Sequence, residues 1–248
     1  MKRTLILTTL FFVIGVAAFA VPNYDTILVQ IDELSNFEDK DFSALYTIVS
    51  DKPGEDRTVR QLRLFRRDTN DQFVLLILQP QVERGQGYLQ VDENMWFYDP
   101  ESRRFERTTM EDTIQDSDAE NRDLSQSTLS EDYRVVSHSE ETLGGVAVWV
   151  LELESTSTDT TYAHKRMWVR KDVPVVMMER DYSVNNRLMR TAMYRRYAVV
   201  DAKYVPSQIL IVDELNVGER TQVTLEDPSA EPIPDYVFSK QYLEQVSR

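Results

Sequence analysis

Hydrophobic residues recur along this chain with two periods, and the change from one to the other comes early. In residues 24–36 (YDTILVQIDELSN), Ile27, Ile31 and Leu34 fall on one helical face with Leu28 beside them, which predicts one amphipathic helix of about three turns. Beyond it nearly every segment has strand character. FSALYTIVS, TVRQLRLFRR, DQFVLLILQ, GYLQVDENMWFYD, RRFERTT, YRVVSHSEET, VAVWVLELES, HKRMWVRK, VPVVMMERDY, RLMRTAMYRRYAVV, VPSQILIVDEL and RTQVTLED are β-branched or aromatic runs. Turn signals separate them at Pro53-Gly54, Asn70-Asp71, Asp99-Pro100, Gly144-Gly145, Asn185-Asn186 and Gly218. Short strands at such spacing behind a single helix predict one antiparallel sheet that curls or closes. Near the end, Pro234 can start a short helix carrying Val237, Phe238, Tyr242 and Leu243, expected to plug one end of the sheet.

Side-chain alternation refines this. In VAVWVLELES, Val146, Val148 and Val150 share a face with Glu152 and Glu154, while Ala147, Trp149, Leu151 and Leu153 share the other. Residues 73–78 are apolar on both faces, and in VPVVMMERDY Val175 and Met177 oppose Val176 and Met178. A sheet with one solvated face shows cleaner alternation. Strands apolar on both faces fit either a sheet with a lined concave side and a partly covered convex side, or a tightly filled barrel. The run Met95-Trp96-Phe97-Tyr98 ends at the Asp99-Pro100 turn and splits its side chains between the inside and an outer cover, while Gly85 and Gly87 mark a bend or close backbone approach.

The first residues change the expected location. Lys2 and Arg3, an apolar stretch over residues 5–17 and Ala18-Phe19-Ala20 have the layout of an export signal cleaved after Ala20. The apolar stretch is short for a membrane-crossing helix, which needs about 20 residues. Cleavage leaves residues 21–248 as one domain and carries the net charge from −14 to −16. Such a surface disfavours nucleic acid and anionic headgroups. With no cysteine, the domain is held by its core without disulfides, and no lipid-anchoring thiol exists at the cleavage site.

Catalytic chemistry is thinly represented. His138 and His164 are the only histidines, without metal-ligand spacing, and no serine lies in Gly-x-Ser-x-Gly. Gly85-Gln86-Gly87 precedes a strand instead of opening a helix, so it lacks the context of a phosphate loop. Asp116, Asp118, Glu120 and Asp123 lack the glycine and terminal glutamate of a calcium loop, and the acidic stretch 111–132 reads as a solvated loop. The chain is expected to be no enzyme and to use no metal or cofactor. What remains is an apolar inventory rich in methionine, which adapts to irregular hydrophobic partners: Met95, Met167, Met177, Met178, Met189 and Met193, beside Trp96, Phe97, Tyr98 and Trp168.

The order of several short motifs resembles the outer-membrane lipoprotein-sorting family of LolA- and LolB-like periplasmic carriers. These are Arg84-Gly85-Gln86-Gly87-Tyr88-Leu89, Asn94-Met95-Trp96-Phe97-Tyr98-Asp99-Pro100 with Arg104, Ser117-Asp118 with Asp123-Leu124, and His164-Lys165-Arg166-Met167-Trp168-Val169. Tyr204-Val205-Pro206, Gly218-Glu219-Arg220-Thr221 and the ending Ile233-Pro234, Phe238-Ser239, Tyr242-Leu243 continue the match. Ala119 stands where relatives commonly carry an aromatic. The resemblance implies a mainly β fold: an unclosed antiparallel barrel of about eleven strands with an N-terminal helix, a short C-terminal helix and a helical or loop lid. It also implies a soluble periplasmic carrier that shields acyl chains of lipoproteins or other lipids, loaded by an inner-membrane release complex and unloaded to an outer-membrane acceptor.

On that reading Leu62, Leu64, Leu89, Val91, Met95 and Trp96 are candidates for the cavity or its lid, as are Phe97, Tyr98, Trp149, Met167, Trp168, Met177 and Met178. Arg60 and Arg63 are candidates for a basic residue at the cavity mouth. The competing reading is a non-enzymatic envelope protein that binds a protein partner through an apolar strip. A transmembrane barrel is disfavoured, because Arg166, Arg170, Glu152 and Glu154 interrupt both strand faces.

Overall fold

The computed structural model describes residues 23–91, 94–158 and 160–247; the expected export signal lies outside them. Helix α1 (Asp25–Ser35) comes first, as its periodicity predicts, and buries Leu28 and Ile31. The strands follow: β1 (Phe42–Asp51), β2 (Thr58–Arg67), β3 (Gln72–Gln79), β4 (Gly87–Val91), β5 (Asn94–Asp99) and β6 (Arg104–Thr108). A crossing segment with a short helix α2 (Leu129–Asp132) leads to β7 (Tyr133–Leu143) and β8 (Val146–Ser155). The chain continues through β9 (His164–Arg170), β10 (Val176–Tyr182), β11 (Leu188–Val200), β12 (Lys203–Asp213), β13 (Arg220–Ser229) and helix α3 (Lys240–Val246). The run GYLQVDENMWFYD, which reads as one segment, is two strands paired antiparallel, Gly87 opposite Tyr98 and Val91 opposite Asn94.

All thirteen strands join one antiparallel sheet, in the order β6-β5-β4-β3-β2-β1-β13-β12-β11-β10-β9-β8-β7. Consecutive strands pair within β1–β6 and within β7–β13, and the two groups are joined in the sheet by the β1–β13 ladder, from Ser43–Ser229 to Asp51–Arg220. The outer strands β6 and β7 do not pair. The barrel is therefore open, and the strand count is thirteen instead of about eleven. Residues 109–132 connect those two edges and pass inside the curved sheet.

Alternation divides the sheet into two faces. On the inner face Phe42, Ala44, Tyr46 and Ile48 of β1 meet Leu62, Leu64, Phe73, Leu75 and Ile77, together with Val205, Ile209, Ile211 and Val223. Ile114, Ala119 and Leu124 of the crossing segment pack into the same core. Helix α1 covers the other half of the inner face, where Leu28 and Ile31 pack on Tyr133, Leu151, Leu153, Met167, Val169 and Val176.

On the outer face the C-terminal residues Ile233, Val237, Phe238 and Leu243 lie over Val74, Leu76, Leu89 and Tyr98. The C-terminal helix thus roofs the outer face of β3–β5 instead of plugging an end, because residues 73–78 and Leu89 present a second apolar surface that must be covered. Arg67 anchors it, donating to Asp41 Oδ1 at 2.7 Å, Asp235 Oδ1 at 2.7 Å and the Ile233 carbonyl at 2.6 Å. In β10 a register shift between Val176 and Met178 overturns simple alternation: Met177 and Met178 both join the outer cluster of Val148, Val150 and Trp168.

Gly85 and Gly87 are the close approach that their place before a strand predicts. A Cβ on Gly87 would stand 2.8 Å from the Leu75 carbonyl oxygen and 2.9 Å from Leu243 Cδ2. Gly85, at φ +87°, lies against Ser247, whose hydroxyl donates to the Gly85 carbonyl at 2.5 Å. Gly87→Val is expected to lower stability by about 1–3 kcal/mol through overpacking. The thermal midpoint should fall, and amide exchange should rise first across residues 233–246.

Candidate functional site

The acidic crossing segment is not a solvated loop. Ile114, Ala119 and Asn121 are fully buried and Leu124 nearly so, because apolar residues are interspersed among the carboxylates and point into the barrel. Ile114 N–H donates to the Ala119 carbonyl at 2.7 Å and closes a tight turn. A 3-10 turn over Asn121–Leu124 follows, with Asp123 accepting from the Glu120 N–H at 2.8 Å in a capping box. The Asn121 side chain donates to the Thr109 and Asp112 carbonyls.

This inward path takes carboxylates out of water, and the sheet answers with cations. Arg190 on β11 lies 2.7 Å from Asp123, 3.4 Å from Glu120 and 3.2 Å from Asp181 on β10. Arg122 pairs with Glu111 and, at 3.1 Å, with Glu120. Lys165 on β9 lies 2.6 Å from Asp181 and 4.0 Å from Glu179. These pairs form one connected network of three cations and five carboxylates. Burial raises Glu120 to about 7 against the pull of Arg190, with Asp123 adding to the rise, and Tyr162 donates its phenol proton to Glu120. Burial likewise raises Glu179, while Lys165 only partly opposes it. Burial alone would lower Lys165, yet Asp181 and Glu179 hold it raised.

Between this network, helix α1 and the sheet lies a cavity of about 540 Å³, within the range of sites that take small molecules. Tyr46, Phe73, Val205, Pro206 and Ile209 form much of its apolar wall, with Tyr133, Tyr194 and Tyr197. Arg66, Asp68, Arg122, Asp123, Lys165 and Glu179 bring charge to it. Residues 125–129 and α1 close it as a lid: Asp32 accepts from the Leu129 and Ser130 N–H groups, and Asn36 exchanges two hydrogen bonds with Ser127. Arg66 ties lid to sheet, donating to the Ser125 carbonyl at 2.5 Å and the Ser35 carbonyl at 3.0 Å, with Asp68 at 2.6 Å.

None of the residues named from sequence as cavity, lid or mouth candidates lines this cavity. Leu62, Leu64, Met95 and Phe97 lie on the inner face but fill the core, and Met167 packs under α1 with Trp149 at the rim. Leu89, Val91 and Tyr98 face outward beneath the C-terminal helix. Trp96 also faces outward, with Lys240 Nζ 3.4 Å from its ring centroid, and Trp168, Met177 and Met178 form the outer cluster. The lining contains one of the sequence's highlighted residue type, Met110, and is otherwise tyrosine-rich.

Of the basic candidates, Arg60 is buried but pairs with Glu83 at 2.6 Å, and Arg63 faces Asp227 at 3.4 Å. The arginine at the cavity is Arg66, on the same inward-facing register as Arg60 and two residues past Leu64. That period-2 relation was readable in TVRQLRLFRR. The cavity tyrosines were not: Tyr194 and Tyr197, three apart, would face opposite ways in a regular strand. Register shifts on either side of Arg196 bring their rings to 6.3 Å.

A second, smaller space of about 330 Å³ is flanked by Asp118, Asp213 and Glu219, whose carboxylate oxygens lie within 4.8 Å of one another. Protein groups already engage them. Asp118 accepts from Thr221 at 2.7 Å, Asp213 closes the β12–β13 turn by accepting from Leu215 and Asn216, and Lys52 lies 3.8 Å from Glu219.

Glu120 gives the network a pH signature. Its folded pKa near 7 exceeds the ordinary value of 4.5, so between those pH values the folded state alone holds the proton. The stability contributed by this group is fully present below pH 4.5 and is lost as pH rises through 7. Glu120→Gln should therefore gain stability relative to the parent as pH is raised from 5 to 8. Urea unfolding across that range, with a difference independent of pH, would contradict the assignment.

Comparison with known proteins agrees with this geometry. A LolA superfamily protein of Nitrosomonas europaea superposes with a TM-score of 0.76 at 23% identity, over 90% of this chain and 100% of its own. A putative outer membrane lipoprotein-sorting protein domain of Vibrio parahaemolyticus gives 0.78 at 20% identity, over 89% and 97%. A DUF1329 family protein of Desulfovibrio piger gives 0.79 at 18% identity, over 88% and 97%. No curated protein matches the sequence significantly. A family model described as "Uncharacterized protein"-like matches residues 69–245. The chain belongs to that family, and it shares the open-barrel fold of these three solved structures.

Proposed function

We propose that this protein is a non-catalytic carrier that shields an acyl chain of a lipoprotein or other lipid as it crosses the periplasm. The observation that carries the reading is the unfilled space of about 540 Å³ beneath a lid, inside a sheet whose edges stay apart. Each methylene withdrawn from water is worth about 0.8 kcal/mol, so one long chain represents on the order of 10 kcal/mol. A carrier must offset most of that and still release its cargo. Residues 125–130 of the lid are tied down by hydrogen bonds to Arg66, Asp32 and Asn36, with Leu129 their one apolar contact on the α1 cluster, an attachment suited to reopening.

One further observation supports a carrier over an enzyme. Neither histidine lines the cavity, and His138 stacks on Tyr24 at 3.6 Å. Among the described residues no helix is long and apolar enough to cross a membrane. A putative outer membrane lipoprotein-sorting protein domain shares this fold, and on the carrier reading cargo passes here from an inner-membrane release complex to an outer-membrane acceptor.

Val205 and Ile209 on β12 form part of the apolar wall, so Val205→Trp or Ile209→Trp fills the space. Gently purified parent protein should carry acyl lipid or acylated peptide in native mass spectrometry, and the tryptophan variants should lose it while remaining folded. Lipid-free parent protein would sink the carrier reading. It would favour an envelope protein that recruits a partner strand along the exposed edge of β7.

A further inference from the structure

The cavity holds a surplus of one sign. Each cation facing it already has a close counter-ion: Arg66 has Asp68 at 2.6 Å, Lys165 has Asp181 at 2.6 Å, and Arg122 lies between Glu111 and Glu120. Glu179 has no equivalent. It is 7% exposed, it lines the cavity, and among the described residues it accepts no hydrogen bond. Its nearest cation, Lys165 Nζ, stands 4.0 Å away and is committed to Asp181.

A buried carboxylate without donors is costly unless something supplies them. Within the network, five carboxylates meet three cations, and the two left over are Glu120 and Glu179, the pair that burial raises. Glu120 is served by Tyr162, Arg122 and Arg190 inside the protein. Glu179 looks into empty space instead. The groups around it are Lys165 on β9, Asp181 on its own strand, Arg190 and Tyr194 on β11, and Asp123 of the crossing segment.

Aromatic faces accompany this carboxylate. The bulged stretch of β11 places Tyr194 and Tyr197 side by side in the cavity wall, 26° from parallel. Tyr197 donates its hydroxyl to the Val176 carbonyl at 2.8 Å, which holds its ring against β10, the strand that carries Glu179. A carboxylate beside tyrosine faces is the chemistry that receives an alkylammonium group, through charge-assisted hydrogen bonds and cation–π attraction. An anionic headgroup would find every cation engaged and would meet Glu179, Asp123 and Asp68.

We propose that the cargo is an amphiphile with a cationic, ammonium-type headgroup that seats on Glu179 beside Tyr194 and Tyr197, its chain lying along Phe73, Val205 and Ile209. This rests on the carrier reading and adds the headgroup class to it. Three probes with one chain length separate the two: decylamine, decanol and decanoate at pH 7, each below its micellar concentration, measured by titration calorimetry.

Decylamine should bind at least about tenfold more tightly than decanol, as one charge-assisted hydrogen bond would give, and decanoate more weakly still. Glu179→Gln should bring decylamine to the level of decanol and leave decanol unchanged, which excludes attraction to the acidic surface at large. Tyr194→Leu keeps the wall apolar and should weaken decylamine severalfold more than decanol, an independent readout if Glu179→Gln fails to fold. Equal affinities for the three probes, or tighter binding of decanoate, would overturn the headgroup assignment and leave the carrier standing. Binding of none would remove the carrier reading and this inference together.

Discussion

An open sheet with unpaired first and last strands must send the connection between them somewhere, and here it goes through the inside. Residues 109–132 leave β6 at one edge and enter β7 at the other, and they bring Ile114, Ala119 and Leu124 into the core. That path drags carboxylates into a low-dielectric interior, where an unpaired charge costs several kcal/mol. Arg190 meets the demand from three sides, binding Asp123 and Glu120 of the crossing segment and Asp181 of the sheet. Such a network adds little net stability, since desolvation consumes most of the Coulombic gain. Its consequence is registry: the segment can dock only where its acids meet these cations.

The cavity follows from the same constraint. The crossing segment and α1 cover the inner face from two directions, and they meet at residues 125–130 through hydrogen bonds to Asp32 and Asn36, with Leu129 packed on the α1 cluster. Space remains between them and the sheet. Near that space the β12–β13 ladder stops at Gln208–Thr224, while β12 runs on to Lys203. Val205 and Pro206 therefore lie beyond β13, where the missing N–H of proline breaks no bond to that strand. The resulting wall is aromatic and charged on one side and aliphatic on the other, a polarity that a purely hydrocarbon cargo would not use.

The outer face shows how a second apolar surface is managed. Val74, Leu76, Leu89 and Tyr98 are roofed by the C-terminal residues, and glycines at 85 and 87 let that roof sit close. At the other end of the sheet no helix among the described residues packs on Trp168. Arg166 and Arg180 lie over its ring at 5.0 and 5.4 Å, and Glu141 accepts from its indole N–H at 3.0 Å. Long charged side chains cover apolar surface there while keeping their heads in water.

Much of the architecture was legible in the sequence. Period 3.6 marked α1, period 2 marked the strands, and Gly, Pro and Asn pairs marked turns, because these signals depend only on near neighbours. Alternation also divided Met95 and Phe97 from Trp96 and Tyr98, as the structure does. The face that each residue occupies was a different matter. Apolar side chains on both sides of β3 look alike until it is known that helix α3 lies over one of them. Bulges in β10 and β11, which regroup Met177 with Met178 and Tyr194 with Tyr197, leave no mark in composition. The ion network joins residues 111–123 to 165–190 and is silent in a linear reading. Local chain preference settled strands, turns and helices; the path of one connection through the barrel decided which side chains were left facing empty space, because burial and charge pairing depend on neighbours distant in sequence.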